Sequence, residues 1–189
     1  MENSALLNIK VIAGSTREGR FSDKAAVWIV EEINTREGVA AEMLDLRDYD
    51  MPFFSDSVSP AMKQKPYTND AVVRFTKKID EGDAFVIVTP EYNHGTSGVL
   101  KNALDWLVSD ELLPGKEVIV FVCSAGDGIQ AMDSLIEILK TMSLKVIPER
   151  CFRVSAIRSK FVDNELVDLE LRKSLEALVA TLSYGGKIK

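Results

Sequence analysis

The sequence predicts an α/β protein with a parallel sheet covered on both faces, and three observations carry that prediction. Short apolar runs alternate with stretches of helical periodicity along the whole chain, no segment rich in Gly, Ser or Pro divides it, and no internal repeat is present. With 189 residues and 46% hydrophobic content the chain can bury one sizeable core, so a single domain over 1–189 is expected.

Asn8–Ala13 reads as a first strand, and Ser22–Arg36 as a helix whose Ala26, Ile29, Val30 and Ile33 form one apolar stripe. Val39–Leu46 is a second strand, Asn69–Glu81 a helix and Ala84–Val88 a third strand that halts at Pro90. A helix then opens after Gly98, with Leu100, Ala103, Leu104 and Leu107 at the spacing that packs against a sheet. Glu117–Cys123 is a fourth strand and Gly128–Met142 its helix, carrying Met132, Leu135, Ile136 and Leu139. A short fifth strand near Lys145–Ile147, an irregular segment and a last helix over Glu165–Ser183 complete five βα units.

Composition excludes several function classes. The net charge is −6 and no basic block exceeds a pair of residues, which argues against a nucleic-acid partner. The longest apolar runs are about half a dozen residues, far short of the roughly 20 that span a bilayer. The opening MENSALLNIK has neither a basic nor an apolar signal region, so a cytoplasmic enzyme or binding protein is expected. Cys123 and Cys151 lack metal-ligand spacing, and Cys123, at the end of an apolar strand, reads as a core thiol. No metal site is expected.

The loop after the first strand, GSTREGRFS over Gly14–Ser22, lacks the G-x-G-x-x-G of a dinucleotide turn. It also has Arg20-Phe21 where a triphosphate loop needs Lys followed by Ser or Thr. What remains is a hydroxyl-rich loop opening onto a helix N-terminus. Ser15, Thr16 and Ser22 can donate to phosphate oxygens, Arg17 or Arg20 can add a charge-assisted contact, and the helix dipole favours an anion. With no carboxylate pair nearby for Mg²⁺, a single terminal phosphate suits the loop best.

A second loop, Pro90–Ser97, offers Glu91, Tyr92, Asn93 and His94 at the carboxyl end of the third strand, where open α/β sheets bind ligands. A third, SAGDG over Ser124–Gly128, comes after the fourth strand. In the order 2-1-3-4-5, strands 1 and 3 flank the topological switch point, so the three loops converge there as they do around FMN in flavodoxin.

These residues carry a family resemblance. GSTREGRFS resembles the G-S-x-R-x-x-S type loop, and TPEYNHGTSGVLKNALDWL, Thr89–Leu107, resembles the P-E-Y-N-x-x-x-x-G-x-L-K-N-x-x-D-W signature of the NAD(P)H-dependent FMN reductases. That family includes quinone, azo-dye and chromate reductases of flavodoxin-like fold. The resemblance implies that Ser15, Arg17 and Ser22, with Arg20 and Phe21 beside them, hold the FMN phosphate. It places Pro90, Glu91, Tyr92, Asn93 and His94 at the isoalloxazine ring and Ser124 and Gly126 on the flavin's other side. Asp23 stands where members often have Asn, and Ser97 where they often have Pro.

The implied activity is two-step electron transfer: NADPH or NADH reduces FMN and leaves, then a quinone, azo compound, free flavin or similar small acceptor enters. A flavin-binding regulatory protein or an electron carrier is the alternative. The family also implies a homodimer or a dimer of dimers. The connection Arg47–Thr68 exceeds the usual limit of about 12 to 15 residues and carries Tyr49, Phe53, Phe54, Met62 and Tyr67, which suggests a partner surface. Asn102 and Trp106 read as structural, the first tethering a loop. Asp45, lacking a glycine fingerprint, also reads as structural.

Overall fold

The structure is a computed structural model that describes residues 6–63, 65–108, 110–162 and 165–182. Four seven-residue strands form its centre: β1 (Leu7–Ala13), β2 (Val39–Asp45), β3 (Ala84–Pro90) and β4 (Glu117–Cys123). They pair in parallel in the order β2-β1-β3-β4, and two short strands, β5 (Lys145–Val146) and β6 (Phe152–Val154), pair in parallel with β4. The order 2-1-3-4-5 expected from the sequence is the one observed, and the fold is flavodoxin-like.

Alternation along the central strands sends side chains into two cores. Ile9, Val11, Val86, Val88, Ile119 and Phe121 meet Ala25, Ala26, Ile29 and Ile33 of α1 (Ser22–Asn34) on one face. Ile12, Phe85, Ile87, Val118, Val120 and Val122 meet three helices on the other. These are α2 (Asp70–Asp80), α3 (Gly98–Asp105) and α4 (Ile129–Thr141). Strands buried on both faces must be apolar throughout, which is why they read as unbroken runs. Side-chain caps start two of the helices: Asn69 accepts from Ala71 N and Val72 N at α2, and Ser97 accepts from Leu100 N at α3.

Three expectations need correction. The fifth strand is interrupted: Pro148 starts a 3-10 turn over Pro148–Arg150, and the chain rejoins β4 as β6, where the sequence predicts only an irregular segment. Helix α5 (Leu169–Leu182) begins four residues later than Glu165. Glu165–Leu166 form β8, antiparallel to β7 (Phe161–Val162), and Asp168 accepts from Leu171 N to start the helix. The expected end at Ser183 lies outside the described residues. The first helix stops at Asn34, short of Arg36, ahead of Gly38 at φ 79.

The long connection after β2 is only partly a surface. Asn102 tethers it, its Nδ2 donating to Pro52 O (3.0 Å) and its Oδ1 accepting from Phe54 N (2.8 Å). Trp106 donates from Nε1 to Pro52 O (3.1 Å) and packs with Phe54 and Tyr67. Tyr49 meets Phe75 edge-on, whereas Phe53 and Met62 are 80% and 72% exposed.

Candidate functional site

Strand register brings four loops to one edge. Ala13 lies opposite Asp45 and Val88, Pro90 opposite Cys123, and Cys123 opposite Val154, so the loops leaving β1, β3, β4 and β6 are neighbours.

The β1 loop is fastened from several sides. Gly14 N donates to Val88 O (2.8 Å), and a Cβ at this position would come to 3.0 Å from Val88 O and Leu100 Cδ2, so any side chain here would have to push strand β3 or Leu100 back. Ser97 Oγ donates to Gly14 O. Ser15 Oγ is 2.9 Å from Tyr92 Oη and accepts from Arg17 N (3.3 Å). Arg20, only 3% exposed, donates to Ser15 O and Asp45 Oδ2, and its Nε lies 3.3 Å from Asp23 Oδ2. Its charge is therefore met inside the protein, and Asp45 is structural as expected. Arg47 clamps the loop from outside, donating to Thr16 O (3.3 Å) and Arg17 O (2.8 Å), a role with no signal in the sequence.

Besides the buried Arg20 Nε, which has no hydrogen-bond partner among the described residues, two groups of this loop are left over. Ser22 is 1% exposed, yet its hydroxyl has no hydrogen-bond partner among the described residues. It opens α1, where the N-cap Phe21 brings no side-chain bond. Arg17 is exposed and, among the described residues, its guanidinium donates only to carbonyls of its own loop, Glu18 O (3.0 Å) and Gly19 O (3.1 Å). A buried unpaired hydroxyl beside an uncapped helix N-terminus and a weakly engaged guanidinium fit a phosphate monoester.

The β3 loop is built by backbone. Tyr92 N donates to Gly95 O (2.8 Å) and Gly95 N to Tyr92 O (3.0 Å), with Asn93 and His94 both left-handed at φ 49 and 64. That is the two-residue turn with positive φ at both central positions, which Asn favours. Asn93 and His94 are exposed at its tip. Glu91 binds the next loop: Oε2 accepts from Ser124 Oγ (3.0 Å) and Oε1 from Ala131 N (3.3 Å) in α4, while Ser124 Oγ also accepts from Gly126 N (3.0 Å).

Between these loops lies a cleft of about 360 Å³, of the size class that takes small-molecule ligands. The first loop lines it with Arg17, Arg20, Phe21 and Ser22, and the second with Pro90, Glu91 and Tyr92. Ser15, Asn93, His94, Ser124 and Gly126 are not in its lining: Ser15 and Ser124 brace the walls, and Gly126 donates its amide to Ser124. Cys123, Ala125, Ile157 and Arg158 complete the wall. The last two escaped sequence reasoning because the strand that delivers them, β6, is only three residues long. Burial pushes the Cys123 thiol far above the ordinary range, so it stays protonated and acts as an apolar floor. Among the described residues no group of three or more His, Cys, Asp or Glu could hold a metal ion.

Residues 7–158 match the NADPH-dependent FMN reductase family. The chain belongs to that family. It is an oxidoreductase of the NAD(P)H-dependent FMN reductase and quinone reductase type, with FMN as flavin cofactor. An NAD(P)H-dependent FMN reductase of Nectria sp is 30% identical over 150 residues, 77% of this chain and 74% of the relative. The quinone reductase of Escherichia coli (strain K12) is 29% identical over 194 residues, 97% and 96% of the two chains. Among solved structures, the flavoenzyme NAD(P)H:(acceptor) oxidoreductase FerB from Paracoccus denitrificans superposes with a TM-score of 0.73. It is 24% identical and the match covers 95% of this chain and 96% of that one. No helix among the described residues is long and apolar enough to cross a membrane.

Proposed function

We propose that the cleft holds FMN with its phosphate at Ser22, Arg17 and the N-terminus of α1 and its ring toward Pro90–Tyr92, and that the enzyme works in two separate half-reactions. The observation that carries this reading is the buried Ser22 hydroxyl left without a partner at an uncapped helix start. FMN bound there would supply the hydride and electron-transfer chemistry between NADPH or NADH and the acceptor. The protein's own work is positioning. Tyr92 is held to Ser15, Glu91 ties the β3 loop to the β4 loop, and the protonated Cys123 keeps the floor apolar. None of these groups needs to move a proton. The turn over Asn93 and His94 stands outside the cleft, leaving room for donor and acceptor to occupy one flavin face in turn.

The acceptor class is a quinone, an azo compound, free flavin or a similar flat small molecule, and the setting is cytoplasmic. Phe53 and Met62, large and exposed on the connection after β2, support assembly as a homodimer or a dimer of dimers. Titration of apoprotein with FMN and riboflavin tests the site: Ser22→Ala should weaken FMN about tenfold, the loss of one hydrogen bond to a charged group, and leave riboflavin unchanged. Steady-state kinetics with NAD(P)H and a quinone should give parallel double-reciprocal lines. Intersecting lines would remove the two-step order, and FMN-loaded protein that does not oxidise NAD(P)H would turn the reading to an electron carrier.

A further inference from the structure

The turn after β6 brings to the cleft a cation that neither loop motif contains. Val154 ends β6 opposite Cys123, and two backbone bonds fasten residues 154–157 to the β4 loop: Ser124 N donates to Val154 O (2.9 Å) and Ile157 N to Ser124 O (3.3 Å). Ala156, left-handed at φ 48, starts the 3-10 turn Ile157–Ser159. Ile157 is buried in the core shared with α1, so the backbone of its neighbour Arg158 is set by packing. Arg158 lines the same cleft as Arg17 and Ser22, is exposed, and has no partner among the described residues.

We infer that Arg158 is a second cationic ligand of the cofactor's phosphate, approaching from the β6 side while Arg17 approaches from the β1 loop. This rests on the phosphate site proposed above. Charge favours a second cation. Arg20 faces two carboxylates, Asp45 and Asp23, so its charge is taken up inside the protein and Arg17 is the one cation of the loop lining the cleft whose charge no carboxylate meets among the described residues. A phosphate monoester adds about −1.5 to −2, and a helix N-terminus offers only about +0.5. The other basic groups nearby have other tasks. Arg47 is bonded to loop carbonyls, Arg153 donates to Asp127 O (3.1 Å), and Lys24 Nζ sits 5.1 Å from the centre of the Phe21 ring.

Fluorescence titration of apoprotein with FMN and with riboflavin, for wild type, Arg158→Ala, Arg158→Lys and Arg17→Ala, tests the assignment. Arg158→Ala should weaken FMN about tenfold and leave riboflavin within about twofold. Arg158→Lys should recover most of the loss, and high salt should shrink the difference between variant and wild type. Inorganic phosphate should compete with FMN more weakly in Arg158→Ala than in wild type. Unchanged FMN affinity in Arg158→Ala, with Arg17→Ala still weakened, overturns the inference alone. So does equal weakening of FMN and riboflavin, which marks a structural role, or a raised KM for NADPH with FMN affinity intact, which assigns Arg158 to the donor. If Arg17→Ala and Ser22→Ala also leave FMN binding unchanged, the phosphate site itself falls.

Discussion

The loop after β1 and the turn after β3 border one cleft but use their polar side chains differently. In the first, Ser15 and Arg20 are spent on protein groups, while Ser22 and Arg17 remain available. In the second, the backbone closes the turn by itself, Glu91 reaches across to the β4 loop, and Asn93 and His94 face solvent. A polar residue in a site loop thus either braces the loop, waits for a ligand or does neither, and its partners in the structure tell which.

The largest break in that distinction should come from Arg20→Ala. It strips Asp45 and Asp23 of their counter-charge and Ser15 O of its donor, a loss of about 3 to 5 kcal/mol for a buried pair. Calorimetry should show Tm lower by roughly 10 °C, with FMN and riboflavin binding both impaired. An unchanged Tm would contradict the bracing role.

Arg17→Ala should do the reverse. FMN affinity should fall roughly 10- to 100-fold, riboflavin affinity should hold, and Tm should stay within about a degree. A Tm loss matching that of Arg20→Ala would erase the difference between bracing and waiting.

A smaller effect is expected in the C-terminal unit that carries the Arg158 turn. Its hydrogen bond from Lys160, then that from Leu171 N, hold the Asp168 carboxyl below the usual aspartate range. Because the folded pKa is the lower one, this stabilisation is complete above the ordinary value of about 3.9 and is lost as pH falls below it. Hydrogen-exchange protection at Lys160 and at Leu171–Arg172 should drop as pH falls below about 4, and Asp168→Asn should remove that dependence. The smallest change should be His94→Ala: with its side chain at an exposed tip, kcat and FMN affinity should stay within about twofold of wild type, and a tenfold loss in either would bring the turn into the chemistry.

Strands β1 to β4 are legible in the sequence because burial on both faces demands a continuous apolar run, and the carboxyl-edge loops come with their order. Strand β6 is not: three residues after a proline turn carry too little pattern, and Ile157 and Arg158 are hidden with it. The start of helix α5 reads early because Glu165 and Leu166 suit a helix locally, whereas pairing with Phe161–Val162 decides their state.

By itself the sequence determined a parallel α/β sheet, the loops at its ligand edge and the residue types suited to a single phosphate, since apolar periodicity and turn chemistry act over a few neighbouring residues. Only the tertiary structure decided which of those residues are spent. Arg20 meets Asp45 across 25 positions and Ser97 meets Gly14 across 83, and such pairings result from strand register. The groups they leave for a ligand, the Ser22 hydroxyl and Arg158 without partners among the described residues and Arg17 bonded to carbonyls of its own loop, are a property of the packed molecule, because a polar group is free only relative to everything folding brings within reach.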